Sequence, residues 1–243
     1  MTTIILLCFA GFIAAFVDSI AGGGGLISVP AFLIAGLSPH LTLGTNKFAS
    51  TTGSLTSSIK FALSGKVNFK LIRFLVPFTL LGAALGVNTV LKIDQSFLKS
   101  LVLILILFVG VYSLFSKTLG AANKFNNPTP FSLVGGILLA FSLGFYDGFF
   151  GPGTGSFLIF GFDFLNASGN AKFLNFISNI TSLALFAMKG NISYSYGIPV
   201  ALFMILGANL GTKYALKKGT TLIKPIFITM SLGVAIKMLY DLL

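Results

Sequence analysis

A block of this chain is written twice. Gly44-Thr45-Asn46-Lys47-Phe48, with Thr56-Ser57, Phe61 and Gly65 behind it, returns 125 positions later as Gly169-Asn170-Ala171-Lys172-Phe173, with Thr181-Ser182, Phe186 and Gly190 behind it. The same offset pairs Leu81-Gly82-Ala83 with Leu206-Gly207-Ala208. Upstream, an offset of 129 pairs Phe16, Asp18, Gly22 and Gly24 with Phe145, Asp147, Gly151 and Gly153. Duplication in an apolar chain is the mark of many membrane folds that bind a ligand where their halves meet. The repeat therefore fixes where a functional site is sought.

The chain is apolar enough to require a bilayer. Hydrophobic residues make up 55% of it and charged residues 9%, against about a quarter charged in a soluble domain. The run 97–116, FLKSLVLILILFVGVYSLFS, is long enough at about 1.5 Å per residue to cross about 30 Å of hydrocarbon. The expected class is an all-α polytopic membrane protein, with the lipid bilayer as its environment. Sixteen Lys and Arg against five Asp and Glu do not point to nucleic acid, because no soluble domain accompanies them; basic residues of a membrane protein gather in cytoplasmic loops. One cysteine and one histidine leave no disulfide framework, and neither a metal nor another cofactor is expected. Cys8 reads as packed or lipid-facing, and His40, after Pro39, as a loop residue. The apolar N-terminal run lacks a basic start, and residues 131–148 repeat its pattern in mid-chain, so it reads as a retained helix and not a signal peptide.

Each half resolves into five apolar segments: about 3–20, 25–37, 45–64, 70–91 and 96–117, then about 131–148, 153–165, 170–189, 194–216 and 221–242. The organisation is a first repeat over 1–117, a polar linker over 118–130 and a second repeat over 131–243. The second segment of each half is short and bounded by glycine and proline, so it is either re-entrant or a half-helix completing a crossing. If every segment crosses, the odd number per half inverts the second copy and the basic residues divide eleven to five between the two faces; if the short segments only dip, they divide eight to eight. The asymmetric division is the one favoured in membranes. The expected fold is two inverted repeats of five segments, with both termini outside the cytoplasmic membrane.

Three sets of residues carry candidate chemistry. Asp18 and Asp147 end the first segment of each half. A carboxylate at membrane depth is costly and points to function, here ion coupling, although capping of the next helix explains the same placement. The glycine runs Gly22-Gly23-Gly24-Gly25 and Gly151-Pro152-Gly153 can turn N–H groups into an anion cradle or simply let helices pack closely. Lys47 and Lys172 begin the third segment of each half. Behind Lys47, Ser50, Thr51, Ser54 and Ser58 share one helical face; behind Lys172, Asn175, Asn179 and Ser182 do so. Snorkelling lysines and a helix-gluing polar stripe are the plainer reading. A pair related by an in-plane twofold, however, can converge near the midplane on an anionic substrate.

The run Asp18-Ser19-Ile20-Ala21-Gly22-Gly23-Gly24-Gly25-Leu26-Ile27-Ser28-Val29-Pro30, followed by Leu43-Gly44-Thr45-Asn46-Lys47, resembles the sulfite exporter TauE/SafE family of permeases, also called TSUP. The resemblance extends over essentially the whole chain and is looser in the second glycine run. It implies transport of a small sulfur-containing anion such as sulfite, a sulfonate or a thiosulfate-like species across the inner membrane. The expectation is a secondary transporter that works by alternating access, alone or as a homodimer. Lys47 and Lys172 would supply charge, Gly22, Gly23, Gly24, Gly25, Gly151 and Gly153 N–H donors, and Asn46, Ser50, Asn175 and Asn179 hydrogen bonds. Asp18 and Asp147 are its candidate coupling groups. A passive anion channel is the alternative within transport. A membrane-embedded enzyme or assembly factor is the rival class, and the scarcity of His, Cys and clustered acids counts against an enzyme.

Overall fold

The computed structural model describes residues 1–115, 130–157 and 164–218. Within them the chain is helical: α1 Thr2–Ala21, α2 Gly25–Ile34, α3 Pro39–Leu63, α4 Phe69–Val90, α5 Gln95–Phe115, α6 Pro130–Phe149, α7 Thr154–Phe157, α8 Phe164–Met188 and α9 Tyr194–Lys218. The expected segment 221–242, most of the linker 118–130 and Asp163 lie outside the described residues.

Two boundaries differ from expectation in ways that matter. Helix α3 begins at Pro39, six residues before the expected start. Proline tolerates the first helical position, where its missing N–H has no intrahelical partner to lose. His40 is therefore a buried first-turn residue and not a loop residue, its Nε2 3.0 Å from the Val90 carbonyl. Lys47 and Lys172 correspondingly sit within α3 and α8, not at their starts. In the second half, the short segment expected over 153–165 is described only as the turn α7, and residues 164 onward already belong to α8. Cys8 is packed inside. Asp94 caps α5, accepting from the Ser96 hydroxyl and, at 2.9 Å, the Ser96 N–H; these two bonds hold its carboxyl below the usual range.

The halves are interleaved. Helix α1 packs chiefly on α9, and α4 chiefly on α6. A Cβ placed on Gly82 would lie 2.2 Å from the Phe141 carbonyl oxygen and 2.7 Å from the Phe145 nitrogen; one on Gly207 would lie 2.1 Å from that of Phe12 and 3.1 Å from the Phe16 nitrogen. Adding 125 to the glycine and subtracting 129 from the phenylalanines turns the first contact into the second, so the contact of α4 with α6 is repeated by α9 with α1. Both sites demand glycine because helix backbones touch there.

The direction of each helix follows from its contacts. Ala15 and Ser19 of α1 meet Gly53 and Ser57 of α3, and Thr52 and Lys60 of α3 bond the Ala201 and Asn209 carbonyls of α9, so α1, α3 and α9 run the same way. Helix α3 meets α8 head to tail: Lys47 reaches Asn179, whereas Ser58, eleven residues on, reaches the Lys172 carbonyl.

Polarity is inside out. Leu206 and Leu210 are about half exposed, while Lys47 and Lys172 are 3% and 2% exposed. Among the described residues four helical stretches, Thr2–Ile20, Phe69–Val90, Gly169–Met188 and Tyr194–Lys217, are long and apolar enough to cross a membrane. Helix α3 has the length, with 25 residues, but carries a stripe of hydroxyls and amides that is turned inward. Apolar rim and polar interior are the pattern of a polytopic helical membrane protein.

Candidate functional site

The inward stripes of α3 and α8 meet at the centre. Helical spacing puts Asn46, Lys47, Ser50 and Ser54 over successive turns of α3, facing Lys172, Asn175 and Asn179 of α8. Lys47 Nζ donates to Asn179 Oδ1 at 2.9 Å, and Asn179 Nδ2 donates to Ser54 Oγ at 3.3 Å.

Each lysine is paired with the aspartate of the opposite half. Lys47 Nζ lies 2.8 Å from Asp147 Oδ2, and Lys172 Nζ lies 2.5 Å from Asp18 Oδ2. The offsets turn one pair into the other. Asp147 also accepts from Ser178 Oγ and, at 3.4 Å, from Asn175 Nδ2. Asp18 Oδ1 accepts the Gly24 N–H at 3.1 Å, just ahead of α2. One oxygen of this carboxylate thus meets the N–H ahead of α2 and the other the lysine of the opposite half. The pairs are unequal: the Lys47–Asp147 side chains are 3% and 2% exposed, whereas Asp18 is 25% exposed. At such burial an unpaired charge is very costly, so each lysine and its aspartate hold one another in place.

The glycine runs of the two halves meet beside these pairs. A Cβ on Gly25 would lie 3.0 Å from Pro152 Cα, and one on Gly155 2.7 Å from Gly22 Cα. Gly151, at φ 92°, is left-handed, and a side chain there would press on Lys47 Nζ at 3.1 Å. Glycine is therefore required at 151 for both backbone and space.

Between α1, α2, α3 and α8 lies a cavity in which the centres of water-sized spheres have about 30 Å³ to move, room for one or two waters or an anion of a few atoms. Of the residues singled out in the sequence, Asp18, Gly24, Gly25, Asn46, Lys47, Ser50, Asp147, Gly151, Asn175 and Asn179 line it. Lys172, Gly22, Gly23 and Gly153 do not. Lys172 stands behind Asp18, and the N–H of Gly24 is occupied by the chain's own carboxylate. Ser28 and Met204, which also line the cavity, and Ser178, which bonds Asp147, were not anticipated. Ser28 Oγ donates to Asn46 Oδ1 at 2.6 Å from within an apolar run that gave no polar periodicity. Ser178 stands three residues beyond Asn175, a helical step that could have revealed it.

Donors remain for a ligand. Lys47 Nζ uses two of its three N–H groups, on Asn179 and Asp147. Asn46 Oδ1 accepts from Ser28 and Ser50, while its Nδ2 has no partner among the described residues. Among the described residues, no group of three or more His, Cys, Asp or Glu side chains is arranged to hold a metal ion.

Comparison with known proteins agrees in kind. The sulfite exporter TauE/SafE family matches residues 7–238. This chain belongs to that family. A Haemophilus influenzae protein named "Probable membrane transporter protein" is 43% identical over 98% of this chain and 94% of its own length. A Sinorhizobium protein named "Probable membrane transporter protein ORF9" is 38% identical over 97% and 92%. The Escherichia coli K12 protein named "Probable membrane transporter protein YfcA" is 35% identical over 97% and 89%. No solved structure matches. The TauE/SafE chain described here is a membrane transporter, and the paired charges lie at the centre of its packing.

Proposed function

We propose that this TauE/SafE protein is a secondary transporter of a small sulfur-containing oxyanion, such as sulfite, thiosulfate or a small sulfonate. It works in the cytoplasmic membrane, by alternating access at the junction of two inverted repeats, and does not chemically convert its cargo. The observation that carries this reading is the cavity where the halves meet, with Lys47 and the Asn46 amide supplying unengaged donors. The family name supports the sulfur chemistry. The head-to-tail meeting of α3 with α8 and the exchanged contacts of α1 and α4 support the inversion.

Charge balance suggests the coupling. Two lysines and two aspartates sum to zero, so an anion entering alone leaves a buried net negative charge, which a low-dielectric interior opposes. One proton for each negative charge of the anion, taken up by Asp147 or Asp18 for a monoanion and by both for a dianion, restores neutrality and releases lysine to the anion. Anion and proton then move together.

Purified protein in liposomes, with the membrane voltage clamped, tests this. A pH gradient, acid outside, should concentrate labelled sulfite inside above its external level, and Lys47→Ala should abolish the accumulation. Anion movement that never exceeds equilibrium and ignores the gradient would instead identify a channel.

A further inference from the structure

The duplicated frame offers two places for a cavity, related by the exchange of halves. We propose that only one of them is an anion site: Ala14 and Gly53 keep it open beside Lys47, whereas Leu143 and Ser178 close its counterpart. This rests on the anion-transport reading above and assigns the specificity of that same site.

The offsets convert Ala14 into Leu143, Ala15 into Gly144, Gly53 into Ser178 and Met204 into Thr79. All four of the first set line the cavity beside Lys47. All four of the second line a space where the centre of a water-sized sphere has no room. The backbone frame is thus kept in both copies, and the side chains decide which one is hollow. Leu143 puts an isobutyl group where Ala14 has a methyl. Ser178 occupies the position left bare by Gly53 and directs its hydroxyl onto Asp147. The donors diverge as well, because Asn46, whose Nδ2 is unengaged, is matched by Ala171. The second copy has lost both the room and an amide donor, while its lysine and aspartate persist.

The two ion pairs therefore divide the labour. Lys47 touches the anion. Lys172 holds Asp18 at 2.5 Å beside the cavity it does not itself line, and is a positioning residue. One anion binds per chain, on the side of the first repeat's stripe.

The test uses the full chain in lipid nanodiscs, with equilibrium binding of labelled sulfite and, in parallel, thiosulfate. The wild type should bind one anion per chain. Gly53→Ser and Ala14→Leu should each weaken binding at least tenfold, and Leu143→Ala should leave it within twofold. Gly53→Ser is expected to fold, since a Cβ there meets nothing nearer than 3.5 Å; Ala14→Leu gives a second filling of the cavity, and thermal melting confirms that each variant is intact. Two anions per chain, or a loss in Leu143→Ala equal to that in Gly53→Ser, would overturn the single site while leaving anion transport standing. A wild type that binds neither probe would bring down the anion reading, and this inference with it.

Discussion

Replacing Lys47 by methionine is the sharpest probe of the central charges. The change keeps most of the side-chain volume, so packing is nearly conserved. It removes a 2.8 Å ion pair with Asp147 and a 2.9 Å hydrogen bond to Asn179. Asp147, 2% exposed, is then left as a buried carboxylate. Removing one partner of such a pair costs about 3–5 kcal/mol. The bonds that Asp147 retains from Ser178 and Asn175 place the loss at the lower end, about 3 kcal/mol. For a chain of this size each kcal/mol lowers the melting midpoint by about 2–4 °C, so Lys47→Met should melt about 6–12 °C below wild type in detergent. The double variant Lys47→Met with Asp147→Asn carries no stranded charge and should recover most of that loss, to within about 1 kcal/mol of wild type, because a buried pair exchanged for a neutral one is nearly free of penalty. Both variants should fail to transport. If the single variant melts within about 2 °C of wild type, or the double is no better than the single, then Lys47 and Asp147 are not mutually dependent and the account of the site is wrong.

Two further outcomes follow. Gly44→Ala should abolish well-folded protein, because its Cβ would lie 1.9 Å from the Asn191 carbonyl oxygen; Gly135→Ala, with nothing within 4 Å, should be harmless, and equal yields with matching elution on size exclusion would contradict the packing. Cysteines at Lys66 and Lys189, which follow α3 and α8, should be labelled from opposite faces of the membrane by an impermeant thiol reagent; labelling from one face would refute the inverted arrangement.

The sequence made the ingredients of the site visible but not their partners. Lys47, Lys172, Asp18 and Asp147 stood out because charge is rare in so apolar a chain, and duplication marked them as two matched sets. That each lysine would reach the aspartate of the other half was not visible, because nothing in a linear repeat distinguishes pairing within a copy from pairing across copies. The early start of α3 is hidden because Pro39 reads as the boundary of the short second segment. Proline is harmless at a first helical position, and Gly44 is there for the approach of the Asn191 carbonyl and not to end a helix. Ser28 was hidden by the apolar run around it. The uneven filling of the two copies was already written in Ala14 against Leu143, but its meaning needed the cavity.

The interleaving of the halves bears on how the chain is made. Helix α1 is synthesised long before its main neighbour, α9, which begins at Tyr194. Until then the surface around Gly11, which ends against Val200 and Met204, has only lipid to face. Helix α4, by contrast, meets α6 soon after its own synthesis. The contact of α4 with α6 is therefore expected to form in the bilayer before that of α9 with α1. Two separately expressed halves should remain incomplete apart and recover one another when produced together.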